Sequence, residues 1–178
     1  MTSRLSGAAL GLAAALVGQI AAAADPPLRA CDVRLNVTDQ DPAGLNVRAA
    51  PAGAVIGALK AKGAWVQVHV TGQAGEWARI DGATLYDDAL ADGERPMFKG
   101  AGFVAFSKLG IEELKPNAQI LAGPSDDARR LLAIPNEDES LLPPALVLGC
   151  SGAFLQVRVQ GVVGWTRGFC ANQRTTCV

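Results

Sequence analysis

The sequence predicts an all-β protein in which a small, partly open β-barrel occurs twice. Glycine and proline together make up 30 of the 178 residues, a composition that favours many turns over long helices. Short segments alternate apolar and polar residues, as strands with one buried face do. A stretch around Trp77 also recurs around Phe154, so the chain contains an internal repeat.

The start of the chain predicts a secretory signal peptide, residues 1–24. Arg4 supplies a positive charge, an apolar run follows from 10 to 20, and small residues precede Asp25-Pro26-Pro27. The apolar run is shorter than the roughly 18 residues that a membrane-spanning helix needs. We therefore expect a periplasmic or secreted protein with no membrane anchor after cleavage.

The repeat covers most of the remaining chain. Each copy contains three segments that occur in the same order and match at apolar and glycine positions. These segments are 45–51, 70–80 and 102–104 in the first copy, and 118–124, 147–157 and 164–166 in the second. Two small domains, 25–109 and 118–178, are predicted, with a linker at 110–117. A helical pattern at 107–115 predicts a short helix or turn between them.

The first copy is longer than the second between its two aromatic positions. Trp77 and Phe103 are 26 residues apart, whereas Phe154 and Trp165 are 11 apart. The difference places an insertion of 15 residues within about 83–98. Tyr86 and Phe98, which lie in or at the end of this insertion, are expected to cover the neighbouring strand.

That strand, 64–70, shows the clearest alternation in the chain. Its valines are predicted to face the core, while its other side chains face outward. The outward residues are Trp65, Gln67 and His69. Glycines at 72–75 and at 149–152 predict hairpin turns, because glycine accepts positive φ.

Four motifs of the first copy resemble the bacterial SH3-like (SH3b) domain. They are Leu45-Asn46-Val47-Arg48-Ala49-Ala50-Pro51, Val55-Ile56-Gly57-Ala58-Leu59, Gly75-Glu76-Trp77 and Gly102-Phe103-Val104. Phe103 stands where this family usually has tryptophan. The second copy lacks the asparagine and arginine of the first motif, but Trp165 restores the aromatic residue. The resemblance extends over about residues 43–170.

The resemblance implies two tandem SH3-like barrels that bind a ligand and catalyse no reaction. The implied partner is cell-wall peptidoglycan or a protein of the cell envelope, and no cofactor is expected. An exposed aromatic beside amide and imidazole groups suits stacking on a sugar ring or gripping a peptide. The predicted ligand-binding residues are Trp65, Gln67, His69 and Arg48. An alternative is a small periplasmic inhibitor or immunity-type protein that uses the insertion at 83–98 to block a toxin or a wall hydrolase.

Four cysteines, all beyond the predicted signal peptide, predict two disulfides in an oxidising compartment. They are Cys31, Cys150, Cys170 and Cys177. Three connectivities are open. A Cys170–Cys177 bridge would pin the C-terminal tail, whereas a Cys150–Cys170 bridge would leave Cys31 to pair with Cys177.

The composition also limits which ligands and metals the protein is expected to bind. The formal net charge of −1 and the pI of about 5.8 give no basis for binding a nucleic-acid backbone. A single histidine, His69, rules out a histidine-rich metal site, and no metal is expected. Two acidic runs, at 87–94 and 137–139, are interpreted as solvated loops. Asn36-Val37-Thr38 matches a glycosylation triplet, a pattern that often arises by chance.

Overall fold

The structure is a computed structural model that describes residues 27–60, 64–136 and 144–171. The predicted signal peptide, the acidic run at 137–139 and Cys177 lie outside these residues. Within the described ranges the regular structure is β-strand apart from one 3-10 turn, Phe106–Lys108. The all-β prediction is therefore confirmed. No helix in the described ranges is long and apolar enough to cross a membrane.

The first half of the chain forms one antiparallel sheet of seven strands. The strands are Arg29–Val37 (β1), Leu45–Arg48 (β2), Val55–Leu59 (β3), Trp65–Ala74 (β4), Trp77–Tyr86 (β5), Glu94–Ala105 (β6) and Leu109–Gly110 (β7). Their order across the sheet is β3-β2-β6-β5-β4-β1-β7. We call this the first sheet.

The second half forms a five-stranded sheet, called here the second sheet, and a small two-stranded one. The strands are Glu113–Leu114 (β8), Gln119–Leu121 (β9), Arg130–Ala133 (β10), Ala145–Ser151 (β11), Phe154–Val159 (β12), Val162–Thr166 (β13) and Phe169–Cys170 (β14). The order in the second sheet is β10-β9-β13-β12-β11, while β14 pairs with β8.

The two sheets repeat the same strand order. Strands β2 to β6 occupy the positions that β9 to β13 occupy in the second sheet, and β1 and β7 extend the first sheet beyond β4. The registers also correspond, since Arg48 pairs with Phe103 and Leu121 pairs with Trp165. These are the positions that the repeat in the sequence aligns.

The hairpin turns are tighter than the glycine spacing predicts. They consist of Gly75-Glu76 and Gly152-Ala153, and both glycines have positive φ, +57° and +54°. Gly72 and Gly149 instead lie within β4 and β11, where each sheet has a shift in strand register. A bulge between strands explains these glycines, because it brings other groups close to the backbone.

Buried apolar side chains form one contiguous cluster that includes residues of both sheets. The sequence predicts two small domains and does not predict that residues of both sheets share one core. Strand β1, which was not predicted from the sequence, contributes residues to this shared core. It pairs with β4 along one side, and near Cys31 it meets the turn of the β11–β12 hairpin. There Asp32 N–H donates to the Gly152 carbonyl at 2.8 Å, and Gly152 N–H donates to the Ala30 carbonyl at 2.9 Å.

A disulfide between Cys31 and Cys150 crosses this junction, with a Cα–Cα distance of 5.7 Å. It overturns the alternative in which Cys150 pairs with Cys170 and Cys31 with Cys177. Cys170 is also disulfide-bonded. A disulfide in a chain of this kind is consistent with an oxidising compartment.

The prediction of a short helix or turn at 107–115 holds only for the 3-10 turn, Phe106–Lys108, and no helix follows it up to 115. After the 3-10 turn the chain forms β7, which pairs with β1, and β8, which pairs with β14. Leu109 and Leu114 are both buried by these pairings. Backbone pairing to two different strands therefore outweighs the local helical preference.

The insertion at 83–98 is the outer arm of the β5–β6 hairpin rather than a loop. Tyr86 pairs with Glu94 at its end, and 87–93 form the tip. Within the tip, Asp87 N–H donates to the Gly93 carbonyl at 3.1 Å and the Asp87 carboxylate accepts from Ala89 N–H at 2.9 Å. The Asp87 carboxylate therefore stabilises the turn at the tip of this hairpin.

Candidate functional site

The predicted surface lies on the outward side of β4, and we call it the β4 outer face. Val66, Val68 and Val70 are buried beneath it, as the alternation predicts. Trp65 is 40% exposed, although tryptophan side chains are on average highly buried. Gln67 and His69 are half-buried on the same side.

Trp65 has an aromatic neighbour across the strand pair. It is in register with Tyr86 on β5, so the two side chains share a face at the end of the sheet. Tyr86 thus extends the surface. Phe98 does not cover it, contrary to the expectation, because Phe98 packs against Gly57 and Gly102 on the core side of the sheet.

Gln67 is engaged by the C-terminal part of the chain. Its Nε2 donates to the carbonyl oxygen of Ala171 at 2.8 Å. The two residues are 104 positions apart in sequence, so no local pattern predicts the contact. A ligand on the β4 outer face would therefore meet a Gln67 amide that already donates one of its two N–H groups to Ala171.

His69 is held by two carboxylates. Its Nδ1 lies 2.9 Å from Asp81 Oδ1, and its Nε2 lies 2.9 Å from Asp32 Oδ1. An ionised carboxylate accepts hydrogen bonds but donates none, so an imidazolium donates to both while a neutral ring donates to one. Asp32 is on β1 and Asp81 on β5, so His69 links the two strands that flank β4.

Neither carboxylate was predicted from the sequence. Asp81 directly follows the repeat segment 70–80 and lies within β5, and Asp32 lies in β1, which was not predicted. The alternation of Cys31, Val33 and Leu35, which are all buried, is the signal that would have indicated β1.

Arg48 is not part of the β4 outer face. It lies on β2, separated from β4 by β6 and β5. Its Nη1 donates to the Gly53 carbonyl at 2.7 Å, and its guanidinium lies 5.8 Å from the centre of the Trp77 ring. Arg48 therefore closes the β2–β3 turn and covers a tryptophan. The structure brings together three of the four predicted site residues, and Arg48 stands apart.

The two sheets carry corresponding aromatic residues directly after their hairpin turns. Trp77 opens β5 and Phe154 opens β12, and an arginine lies over each ring. The arginines differ in origin, because Arg48 comes from β2 whereas Arg167 follows β13. Arg167 is 6.0 Å from the centre of the Phe154 ring.

The corresponding depressions differ in which parts of the chain line them. Near Trp77, a cleft of about 280 Å³ is lined by Ala105 of β6, by Phe106 of the 3-10 turn and by Val147 and Leu148 of the second sheet. Residues of both sheets thus line the cleft at Trp77.

Near Phe154, a pocket of about 400 Å³ is lined by residues of the second half of the chain alone, including Arg167, Asp126 and Thr166. No residue of the first sheet is among the described residues that line this pocket.

Among the described residues, no group of three or more histidine, cysteine, aspartate or glutamate side chains is arranged to hold a metal ion. The His69 imidazole contacts two carboxylates, those of Asp32 and Asp81, each through its Oδ1.

Comparison of the chain with protein-family models, curated proteins and solved structures found no match. The structure by itself defines the class. The chain is an all-β protein whose two sheets share one strand order and are joined by a disulfide.

Proposed function

We propose that this protein is an exported, non-catalytic binding module of two SH3-like barrels that binds peptidoglycan or a protein partner at the bacterial cell envelope. The SH3b resemblance of the first copy supports the barrel assignment. The shared strand order of the two sheets supports it further, because one topology serves both copies. The Cys31–Cys150 disulfide and the predicted signal peptide support export.

The observation that carries the proposal is the exposed Trp65 on a paired strand. An indole that leaves 40% of its surface in water gains free energy when a ligand covers it. Tyr86 beside it widens the aromatic area. Strand pairing with β5 and β1 holds the face rigid, which lowers the entropy cost of binding.

A binding role suits His69 better than catalysis. General-base chemistry needs a ring nitrogen within reach of the reacting proton. Both nitrogens of His69 contact carboxylates instead, on two different strands. His69 therefore acts in this proposal as a support for the face that Trp65 presents.

Sedimentation with isolated peptidoglycan tests the proposal. We expect the full chain, after export and cleavage, to co-sediment, and Trp65→Ala to lose most of the bound fraction. Val163→Ala is the matched control, because Val163 is 41% exposed but lies on the second sheet. Equal binding by Trp65→Ala and the unaltered protein would place the binding surface elsewhere. Capture of an envelope protein that Trp65→Ala fails to capture would select the protein-partner form of the proposal.

The inhibitor alternative rests on the hairpin arm. Glu94, Arg95 and Pro96 are exposed at its end, and the tip at 87–93 lies beyond them. Such an arm can enter an active-site cleft. Replacing 88–92 with Asn-Gly keeps the flanking strand pairs and shortens the tip. Wall binding survives this change under the main proposal, whereas inhibition of a wall hydrolase is lost under the alternative.

A further inference from the structure

The second sheet contains a pocket that the proposed function does not use. It has a volume of about 400 Å³, within the range of small-ligand sites. It lies at the end of β12 and β13, on a different sheet from Trp65. Its lining includes Phe154, Leu121, Thr166, Gln119, Asp126 and Arg167.

At the corresponding place in the first sheet, Trp77 and Ala105 occupy the positions of Phe154 and Arg167, and Val147 and Leu148 of β11 also line the cleft. None of the described residues that line the Phe154 pocket belongs to the first sheet. The chemistry of the pocket is therefore set by the second half of the chain.

The polar groups of the pocket define its chemistry. Arg167 Nε lies 3.0 Å from Asp126 Oδ1, and their side chains are 62% and 57% exposed. The pair is electrically neutral, so it offers no net attraction for an anion or a cation. It does offer several donors on the guanidinium and several acceptor sites on the carboxylate, and Gln119 supplies both kinds. An exposed ion pair contributes little to stability, so both groups can turn to a ligand at small cost.

The apolar groups complete the description. The Phe154 ring forms one wall, with Leu121 buried beneath the pocket. A pyranose ring has the complementary character, since its hydroxyl groups both donate and accept while its C–H face is apolar. We propose that the Phe154 pocket is a subsite for a neutral saccharide ring, such as an N-acetylhexosamine of a glycan strand. This inference rests on the proposed binding role but concerns a separate surface.

The test uses the purified exported chain and the β-1,4-linked trimer of N-acetylglucosamine as the probe. Amide NMR shifts are followed during the titration, and we expect the changes to centre on Phe154, Thr166 and Arg167. Phe154→Leu keeps an apolar side chain but removes the ring, and we expect about tenfold weaker binding. Arg158→Gln is the control, because Arg158 is exposed on β12 outside the pocket lining.

Three outcomes would overturn the proposal. The first is that the trimer leaves the pocket amides unshifted. The second is that Phe154→Leu, shown to be folded by circular dichroism, binds the trimer as tightly as the unaltered protein. The third is that triglutamate shifts the pocket amides while the trimer does not, which would assign the pocket to an acidic peptide. Trp65→Ala leaves this pocket intact, so failure of wall binding through Trp65 is distinguishable from failure of the saccharide subsite.

Discussion

The side-chain oxygen of Gln73, on β4, accepts a hydrogen bond from the backbone N–H of Cys150, on β11, at 2.9 Å. Gln73 is 7% exposed, and its Nε2 donates to the Gly75 carbonyl at 2.9 Å. Gly149 makes room for this amide, since a Cβ at that position would lie 2.6 Å from Gln73 Oε1. The two sheets are therefore joined by a buried amide next to the Cys31–Cys150 disulfide.

Replacing Gln73 with leucine is expected to destabilise the protein. The change leaves the buried Cys150 N–H without its acceptor, which costs about 1–3 kcal/mol. Urea unfolding of Gln73→Leu measures the loss, and amide exchange at Cys150 should quicken. Gln40→Leu is the control, because Gln40 is exposed and makes one long contact of 3.5 Å. Equal unfolding free energies for the two variants would contradict the role of Gln73.

Removing the inter-sheet disulfide is expected to weaken the fold without abolishing it. Cys31 and Cys150 are 119 residues apart, so the bridge restricts most of the unfolded chain. The double substitution Cys31→Ser and Cys150→Ser should lower the free energy of unfolding by about 2–4 kcal/mol. Because Cys170 is also disulfide-bonded, each protein is measured with and without reductant. A difference below about 0.5 kcal/mol between the oxidised proteins would mean that the bridge adds no stability.

Gly102 is expected to tolerate no side chain. A Cβ there would overlap Val47 Cγ1, and the corresponding glycine of the second sheet, Gly164, has Ile120 Cγ2 at 2.6 Å. Gly102→Ala should therefore cost about 1–3 kcal/mol through overpacking. Gly82→Ala is the matched control on the neighbouring strand, because its nearest atom is the Phe98 carbonyl oxygen at 3.6 Å. Thermal unfolding of the two variants should differ clearly, and similar midpoints would refute the packing explanation.

The two halves of the chain are expected to unfold together. Their buried side chains belong to one cluster, and β1 contacts both sheets. Trp165→Phe leaves Trp65 and Trp77 as reporters of the first sheet, whereas the double substitution of Trp65 and Trp77 leaves Trp165 for the second. Fluorescence should give a single midpoint in each variant, coincident with circular dichroism. Within one variant, a fluorescence midpoint well separated from that of circular dichroism would show two independent domains.

The glycosylation triplet has no accessible acceptor in the fold. Asn36 lies on β1 and is 3% exposed, so its amide is buried between neighbouring strands. The structure thus agrees with the interpretation of this triplet as a chance match.

The sequence by itself determined the features that depend on near neighbours. Alternation in 64–70 correctly separated the buried valines from Trp65, Gln67 and His69, because successive side chains of a strand point to opposite faces. The positive φ values of Gly75 and Gly152 likewise follow from local turn chemistry. The internal repeat aligned positions that prove equivalent in register, namely Arg48 with Leu121 and Phe103 with Trp165.

Only the tertiary structure decided which distant groups meet. The partner of Cys31 was one of three possibilities until the fold placed β1 against the β11–β12 turn. The contact from Gln67 to Ala171 and the placement of His69 between Asp32 and Asp81 likewise join separate strands. Such contacts depend on how sheets pack, and packing is a property of the whole core rather than of any short segment.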